Sequence, residues 1–254
     1  YLLAHSAAQV RCTVISPMSS VFLRYDVKDE RAAQKVDAAF TALQNELNAH
    51  AIEYEISDER MLEKYGKVKK KALRVGEREY DFVIVPACET LSAATKALLC
   101  KYVAAGGKIC VAGAPAYTDG VKDDWSFLQA NTTIEEIAKH NALALESDGK
   151  AEFTYRIGKN FSFLYIVNPT KEDAHVRVPA GFSKIDLVSL AIGEAAREIT
   201  LEAGESVVLV PEYGKPAVEY GEPRAFVKKL RCAAAGDNLL PLDTVRLSRD
   251  GEHY

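Results

Sequence analysis

Cys88 and Glu89 are the residues best placed in the sequence to do chemistry. They follow the apolar run Asp81 to Ala87 and precede a helix that starts at Ser92, so a thiol there would sit near a helix N-terminus, which lowers a cysteine pKa and favours the thiolate nucleophile. Such a nucleophile needs a histidine partner. The five histidines, His5, His50, His140, His175 and His253, are all away from the loops that end strands. Ala87, Glu89 and Thr90 also replace the small neighbours that a strained nucleophilic turn requires. A second candidate is the loop after the apolar run Arg11 to Pro17, where Ser19, Ser20 and Tyr25 carry hydroxyl groups at the end of another strand. Asp119, Asp123 and Asp124 offer carboxylates without the spacing of a calcium loop and read as a solvated acidic turn. Tyr117, Trp125 and Phe127 are aromatic enough to stack on a sugar, but a lone Trp beside a Phe also serves to anchor a helix to a core. Lys67, Lys69, Lys70 and Lys71 read as a strand edge or turn kept soluble by charge.

The elements that would hold these groups change character along the chain. In the first half, short β-branched runs alternate with helical patterns. Arg11 to Pro17 reads as a buried strand, and from Asp29 a helix carries Val36, Phe40, Leu43 and Leu47 on one face. Ile52 to Ile56 is a strand, Ser57 is expected to cap a short helix ending at Gly66, and Lys69 to Tyr80 forms a hairpin around Gly76. Asp81 to Ala87, a helix from Ser92 to Gly106 and Gly107, and Lys108 to Ala114 complete a strand, helix, strand unit, followed by a helix over 133–141. Such alternation implies a doubly wound parallel sheet. The glycines of Ala104 to Gly107 end a helix, whereas a phosphate cradle precedes one. Beyond Leu145 the period becomes two, in short runs split by Asn168-Pro169, Ala180-Gly181 and Ala203-Gly204, as in a small antiparallel β-sandwich. The expected domains are therefore 1–145, an α/β domain; 146–212, a small β-sandwich; and 213–254, a linker and the start of a further β element.

Composition narrows the function classes. The 254 residues are 48% hydrophobic and 27% charged, ordinary for a globular chain. A net charge of -4 gives no basic field, so no nucleic-acid partner is expected. Nor is a membrane, since no apolar run approaches the roughly 20 residues of a spanning helix. Five cysteines without a CxxC pair exclude a thiolate zinc site, and suit a reducing, cytoplasmic compartment better than an oxidising one. The first residue is a tyrosine, from which a preceding segment is expected. No metal or cofactor is expected.

The segments DFVIVPACETLS and YVAAGGKICVAGAP resemble the class I glutamine amidotransferase family, a flavodoxin-like doubly wound fold. The resemblance implies a nucleophilic cysteine in the turn after the strand ending VAGAP, where this chain has Gly113, Ala114 and Pro115, and a downstream histidine-x-glutamate pair that is absent. With YLLAHSAAQVRCTVISPMSS as a helical lead, and FSFLYIVNPTKEDAHVRVP, ITLEAGESVVLV and NLLPLDTVRLSRDGEHY following, the chain resembles the region after the catalytic barrel in large bacterial glycoside hydrolases of the α-L-rhamnosidase-like kind. Its first domain is similar to the trimerisation domain of certain β-galactosidases. That resemblance implies a non-catalytic scaffold or subunit interface, with the carboxylate pair on a barrel upstream in the same polypeptide. It also implies a homo-oligomer, a carbohydrate substrate for the parent enzyme, and a first loop, Met18 to Tyr25, that faces a neighbouring active site. An independent cysteine hydrolase using Cys88, or a free-standing carbohydrate-binding protein, are the alternatives.

Overall fold

In the computed structural model the run Phe82–Val85 is buried at every position, as a strand can be only when both faces of its sheet are covered. It lies between Cys12–Ile15 and Lys108–Val111 in a four-stranded parallel sheet, with Tyr54–Ser57 outside Cys12–Ile15. Strand alternation splits its side chains. Val83 and Val85, with Ile15 and Ile109, face Leu62, Leu98, Leu99 and Tyr102. Phe82 and Ile84, with Cys12 and Val14, face Leu43 and Leu47 of the helix Arg31–Ala49 and Ile134 and Ile137 of the helix Ile134–Ala138. Helices thus cover both faces, and each fully buried leucine, such as Leu47 or Leu99, contributes roughly 2 kcal/mol.

The structure describes residues 2–159, 161–187 and 191–211, together with the strands Cys232–Ala235, Asn238–Pro241, Ser248–Arg249 and Glu252–His253. Much of the expected 213–254 segment, including its linker, lies outside the described residues. The chain forms two compact units, Val10–Ala142, and Tyr1–Gln9 with Leu143–Tyr254. It is a mixed α/β chain, with a parallel sheet in one unit and antiparallel sheets in the other.

Within Val10–Ala142 the helix boundaries follow from their caps. Ser92 Oγ accepts from Thr95 N at 3.2 Å and starts Ala93–Ala104, and Thr133 with Glu136 forms a reciprocal capping box at Ile134–Ala138. The helix Ala93–Ala104 ends at Gly106 (φ 78°) and Gly107, where an added Cβ would lie 2.4 Å from the Tyr102 ring. Two sequence expectations differ here. Asp58, not Ser57, caps the helix Glu59–Tyr65, because the Ser57 hydroxyl is spent on a buried 2.7 Å hydrogen bond with Thr13 Oγ1. The expected hairpin is a three-stranded sheet, Gly66–Lys69, Ala72–Val75 and Arg78–Tyr80, because Val68 also packs on the core opposite Leu73.

The other unit has a six-stranded antiparallel sheet in the order Ser6–Ala8, Glu152–Gly158, Ser162–Val167, Ser206–Pro211, Phe182–Ile185, Ile192–Ala195. Facing it is a three-stranded sheet of Glu146–Ser147, Ala174–Arg177 and Glu198–Leu201. Leu164, Ile166 and Leu209 from the first sheet meet Val176, Ile199 and Leu201 from the second in one core. The N-terminal segment, expected as a helix leading the first domain, instead adds Ser6–Ala8 to the edge of this sheet. Arg156 holds it there, donating from Nε to Ser6 Oγ at 2.9 Å and from a terminal nitrogen to Ser6 O at 2.7 Å. The sequence SAA carries no strand pattern of its own, so only the partner strand reveals it.

Candidate functional site at the carboxyl edge of the parallel sheet

Ligands in open α/β sheets collect where connections leave neighbouring strands in opposite directions. That point lies between Cys12–Ile15, whose chain continues to the outer strand Tyr54–Ser57, and Phe82–Val85, whose chain continues to Lys108–Val111. Both candidate segments meet there. The first, expected as a loop, is a helix, Met18–Arg24, entered through Pro17. Its inward residue is Ser20, 0% exposed. Ser20 Oγ donates to Thr90 O at 2.9 Å and accepts from Glu89 N at 2.9 Å and Thr90 N at 3.0 Å. One turn further on, Arg24 Nε donates to both carboxylate oxygens of Glu89, at 2.9 and 2.8 Å, and a terminal nitrogen of Arg24 also pairs with Oε2. Ser20 and Glu89 are therefore brought together, but to each other. Ser19 is half-buried beside them, and Tyr25, 54% exposed, points away at the end of the helix.

The loop after the next strand closes the edge further. Ala116 N and Tyr117 N both donate to Glu89 O at 3.0 Å, and Tyr117–Thr118 pairs in parallel with Thr90–Leu91. Gly120 N donates to Thr90 Oγ1 at 3.0 Å, and Asp119 Oδ2 accepts from Ala93 N at 3.2 Å. Gly113 approaches so closely that an added Cβ would lie 3.1 Å from Ala87 Cα. The turn at Gly113 is thus packed against the neighbouring loop. Asp123 is held by Lys96 and Thr118 at 2.5 and 2.7 Å, which pulls its pKa down to about 2, and Asp124 turns back to Ser126. Among the described residues no cluster of His, Cys, Asp or Glu could hold a metal ion. Trp125 is buried, stacked on Phe127 at 5.7 Å, with Lys96 over its ring at 5.3 Å.

Cys88 meets the opposite of an activating environment. Burial pushes its thiol pKa up to about 12, and the negative charge of Glu59 pushes the same way. Glu59 is 7% exposed, its Oε2 accepting from Ser92 N at 2.5 Å while Oε1 has no hydrogen-bond partner among the described residues. No histidine of this unit shares that face. His140 lies against Phe82, with ring centroids 5.2 Å apart, on the side of the sheet opposite Val83 and Val85, and His50 ends the helix packed on that same opposite side. Sequence reasoning missed Thr90, Arg24 and Glu59. The only sequence signal was the apolar strand end before Glu89, because the partners of Ser20 and Arg24 stand 65 to 70 residues away.

The fold and this edge define a two-unit chain whose α/β part keeps its switch point but fills it with its own side chains. No family model and no curated protein sequence matches the chain. Among solved structures, an apo exo-carrageenase GH42 from Bacteroides ovatus is similar over 80% of this chain and 29% of that chain, at 16% identity and a TM-score of 0.53. A β-galactosidase from Bacillus circulans sp. alkalophilus covers 81% of this chain and 42% of its own at 10% identity and a TM-score of 0.46. A rhamnosidase from Novosphingobium sp. PP1Y covers 78% and 21% at 14% identity and 0.34. The first of these likenesses shows a shared fold, over less than a third of that enzyme's length.

Proposed function

We propose that this chain is a non-catalytic scaffold and interface region of a larger glycoside hydrolase, attached to a catalytic barrel upstream in the same polypeptide and joined to a second copy through the helix Met18–Arg24. The observation that carries the reading is the closed switch point. Ser20, Arg24, Glu89 and Thr90 spend their polar groups on one another, so the crevice where a substrate would bind is occupied by the chain itself. The strand order, second, first, third, fourth, fits a flavodoxin-like sheet and supports the amidotransferase-like reading of the unit. The fold shared with a region of an exo-carrageenase supports a carbohydrate context. The acid and base carboxylates of glycoside hydrolysis would then lie outside this chain.

The interface reading rests on what the plugging helix leaves outside. On the helix Phe22 is 70% exposed, with Met18 and Leu23 also exposed; Val121 is 70% exposed, and Val27, three residues past the helix, 80%. A Cβ added at Gly120 would lie 3.6 Å from a Leu23 methyl carbon, so the Gly120 turn, with Val121 next in the chain, stands beside Leu23. A cluster of apolar side chains in water at one place marks an interaction surface. Sedimentation of the native chain and of a Phe22→Glu, Val27→Asp double variant tests it. Self-association in the native chain that disappears in the variant is the expected result. A native chain that stays monomeric at every attainable concentration overturns the interface.

A further inference from the structure

The small three-stranded sheet Gly66–Tyr80 has a second character that the scaffold role does not use. Residues 64–80 hold seven lysines and arginines against two glutamates, a net of +5 in a chain whose total is -4, so the remainder carries -9. Strand pairing sorts these charges by face. Val68, Leu73 and Tyr80 stand opposite one another on the inner face, and Arg78 on that face pairs with Glu55 at 3.5 Å. The outer face carries Lys67, Arg74 and Glu79 in one row and Lys69 with Ala72 in the next. Lys70, with a φ of 56°, extends it at the turn, and the side chain of Lys71, next along, runs to within 3.6 Å of where a Cβ on Gly106 would lie. Glu79 is the carboxylate within the strands of that face, and Glu77 stands exposed in the turn at Gly76. Glu79 bonds Lys69 at 2.7 Å, and its pKa is lowered by that bond and by the charges of Lys69, Arg74 and Lys70.

Lys67, Lys70 and Lys71 are exposed and form no ion pair among the described residues. Charged side chains, lysine above all, serve to blunt a sheet edge. Here the charge is denser than that need, and an aromatic stands beside it. Tyr65, 41% exposed, accepts from Gly76 N through its carbonyl at 3.4 Å, which fixes it at the end of the sheet, and Lys64 Nζ lies 5.1 Å from its ring centroid. A cationic strand face with a ring at the end of its sheet complements a chain of sugars bearing anionic groups.

We propose that this face binds an anionic polysaccharide, with the lysines and Arg74 neutralising its sulfate or carboxylate groups and Tyr65 stacking on a sugar ring. The choice of a polysaccharide rests on the carbohydrate reading above. A single-stranded nucleic acid is the less suited polyanion, since it binds on several successive aromatic platforms and this face has one ring. The closing experiment uses the whole chain with dextran sulfate, uncharged dextran and poly(dT) at physiological salt, followed by titration calorimetry. Dextran sulfate binds and dextran does not. Lys67→Glu, Lys70→Glu, Lys71→Glu together weaken binding by about tenfold or more, and flatten the dependence of log affinity on log salt. Tyr65→Ala weakens binding several-fold with the salt slope unchanged, which pure charge attraction does not predict. A Lys67→Gln, Lys70→Gln, Lys71→Gln variant guards against misfolding by charge reversal. Equal binding to poly(dT), or unchanged affinity in both triple variants, overturns the proposal. Either result leaves the self-association of the native chain untouched, so the scaffold reading fails or stands by its own test.

Discussion

Asn168 and Ser20 are both 0% exposed polar residues that knit loops together, one in each unit. Asn168 Nδ2 donates to Glu172 O at 2.7 Å and to Leu201 O and Glu202 O at 3.0 Å, and Oδ1 accepts from Thr170 N and Thr170 Oγ1 at 3.0 and 2.7 Å. Part of that network is local, built on the Asn168-Pro169 turn that an asparagine side chain naturally stabilises. Ser20 makes no local bond of this kind. Its three partners are all on Glu89 and Thr90, across the switch point. The sandwich fixes a corner with a turn residue, whereas the α/β unit uses a serine to seal a position that in its architecture serves as a ligand site. A polar side chain at a strand end is therefore no sign of chemistry until its partners are known.

Removing each side chain measures the difference. Asn168→Ala strands the carbonyls of Glu172, Leu201 and Glu202 in a buried corner, and a loss of about 3 kcal/mol in urea unfolding of the sandwich signal is expected. Ser20→Ala leaves Glu89 N and Thr90 N without their acceptor, for a loss of about 2 kcal/mol. Equal effects would erase the distinction between corner and plug. A Ser20→Ala variant as stable as the native chain would mean that the hydroxyl is available to a ligand after all.

What the sequence disclosed follows the same division between local and distant partners. Three of the four parallel strands were legible because FVIV, CTVI and KICV are largely apolar runs, as a doubly covered sheet demands. Ser92 was legible as a cap, and Thr132 or Thr133 as the cap of the last helix, because such caps bond within three residues; the structure uses Thr133. Ser6–Ala8 and Ile192–Ala195 were missed, since SAA and IGEA have no alternating pattern and are strands by virtue of their neighbours. At the site, Ser20 and Glu89 were visible as strand-end polar residues, but the helix Met18–Arg24 was read as a loop. Its seven residues show no side-chain cap, and Ser20 is buried by tertiary contact alone.

A smaller effect separates the strap from the plug. Asp123 ties the loop after Lys108–Val111 to Lys96 at the start of Ala93–Ala104. Its folded pKa of about 2 lies below the 3.8 of a free aspartate. Its contribution is therefore complete above pH 3.8 and is lost as pH falls through 2. The native chain should be more stable than Asp123→Asn at pH 5, and the gap should close by pH 2. Because the group is open to solvent, salt should narrow the gap as well. The uncharged hydroxyl of Ser20 gives neither response, so Ser20→Ala should cost the same at both pH values. A Ser20→Ala penalty that varied with pH would show that the serine's bonds are coupled to the Arg24–Glu89 pair beside it.

The reactivity of Cys88 bears on the plug directly. The chain turns from Cys88 into Glu89 and Thr90, so an accessible crevice beneath the helix Met18–Arg24 would expose the thiol to solvent. A helix N-terminus by itself would favour the thiolate, but burial and the facing carboxylate of Glu59 act against it and hold the pKa near 12. Since only the thiolate is alkylated, iodoacetamide at neutral pH should modify Cys88 on the order of a thousandfold more slowly than free cysteine, read by peptide mass spectrometry. Ser20→Ala and Glu59→Gln then divide the two causes. If the plug excludes solvent, Ser20→Ala accelerates labelling; if the carboxylate charge alone suppresses the thiolate, only Glu59→Gln does. Labelling of the native chain as fast as that of free cysteine would refute the closed switch point and return Cys88 to the role of a nucleophile.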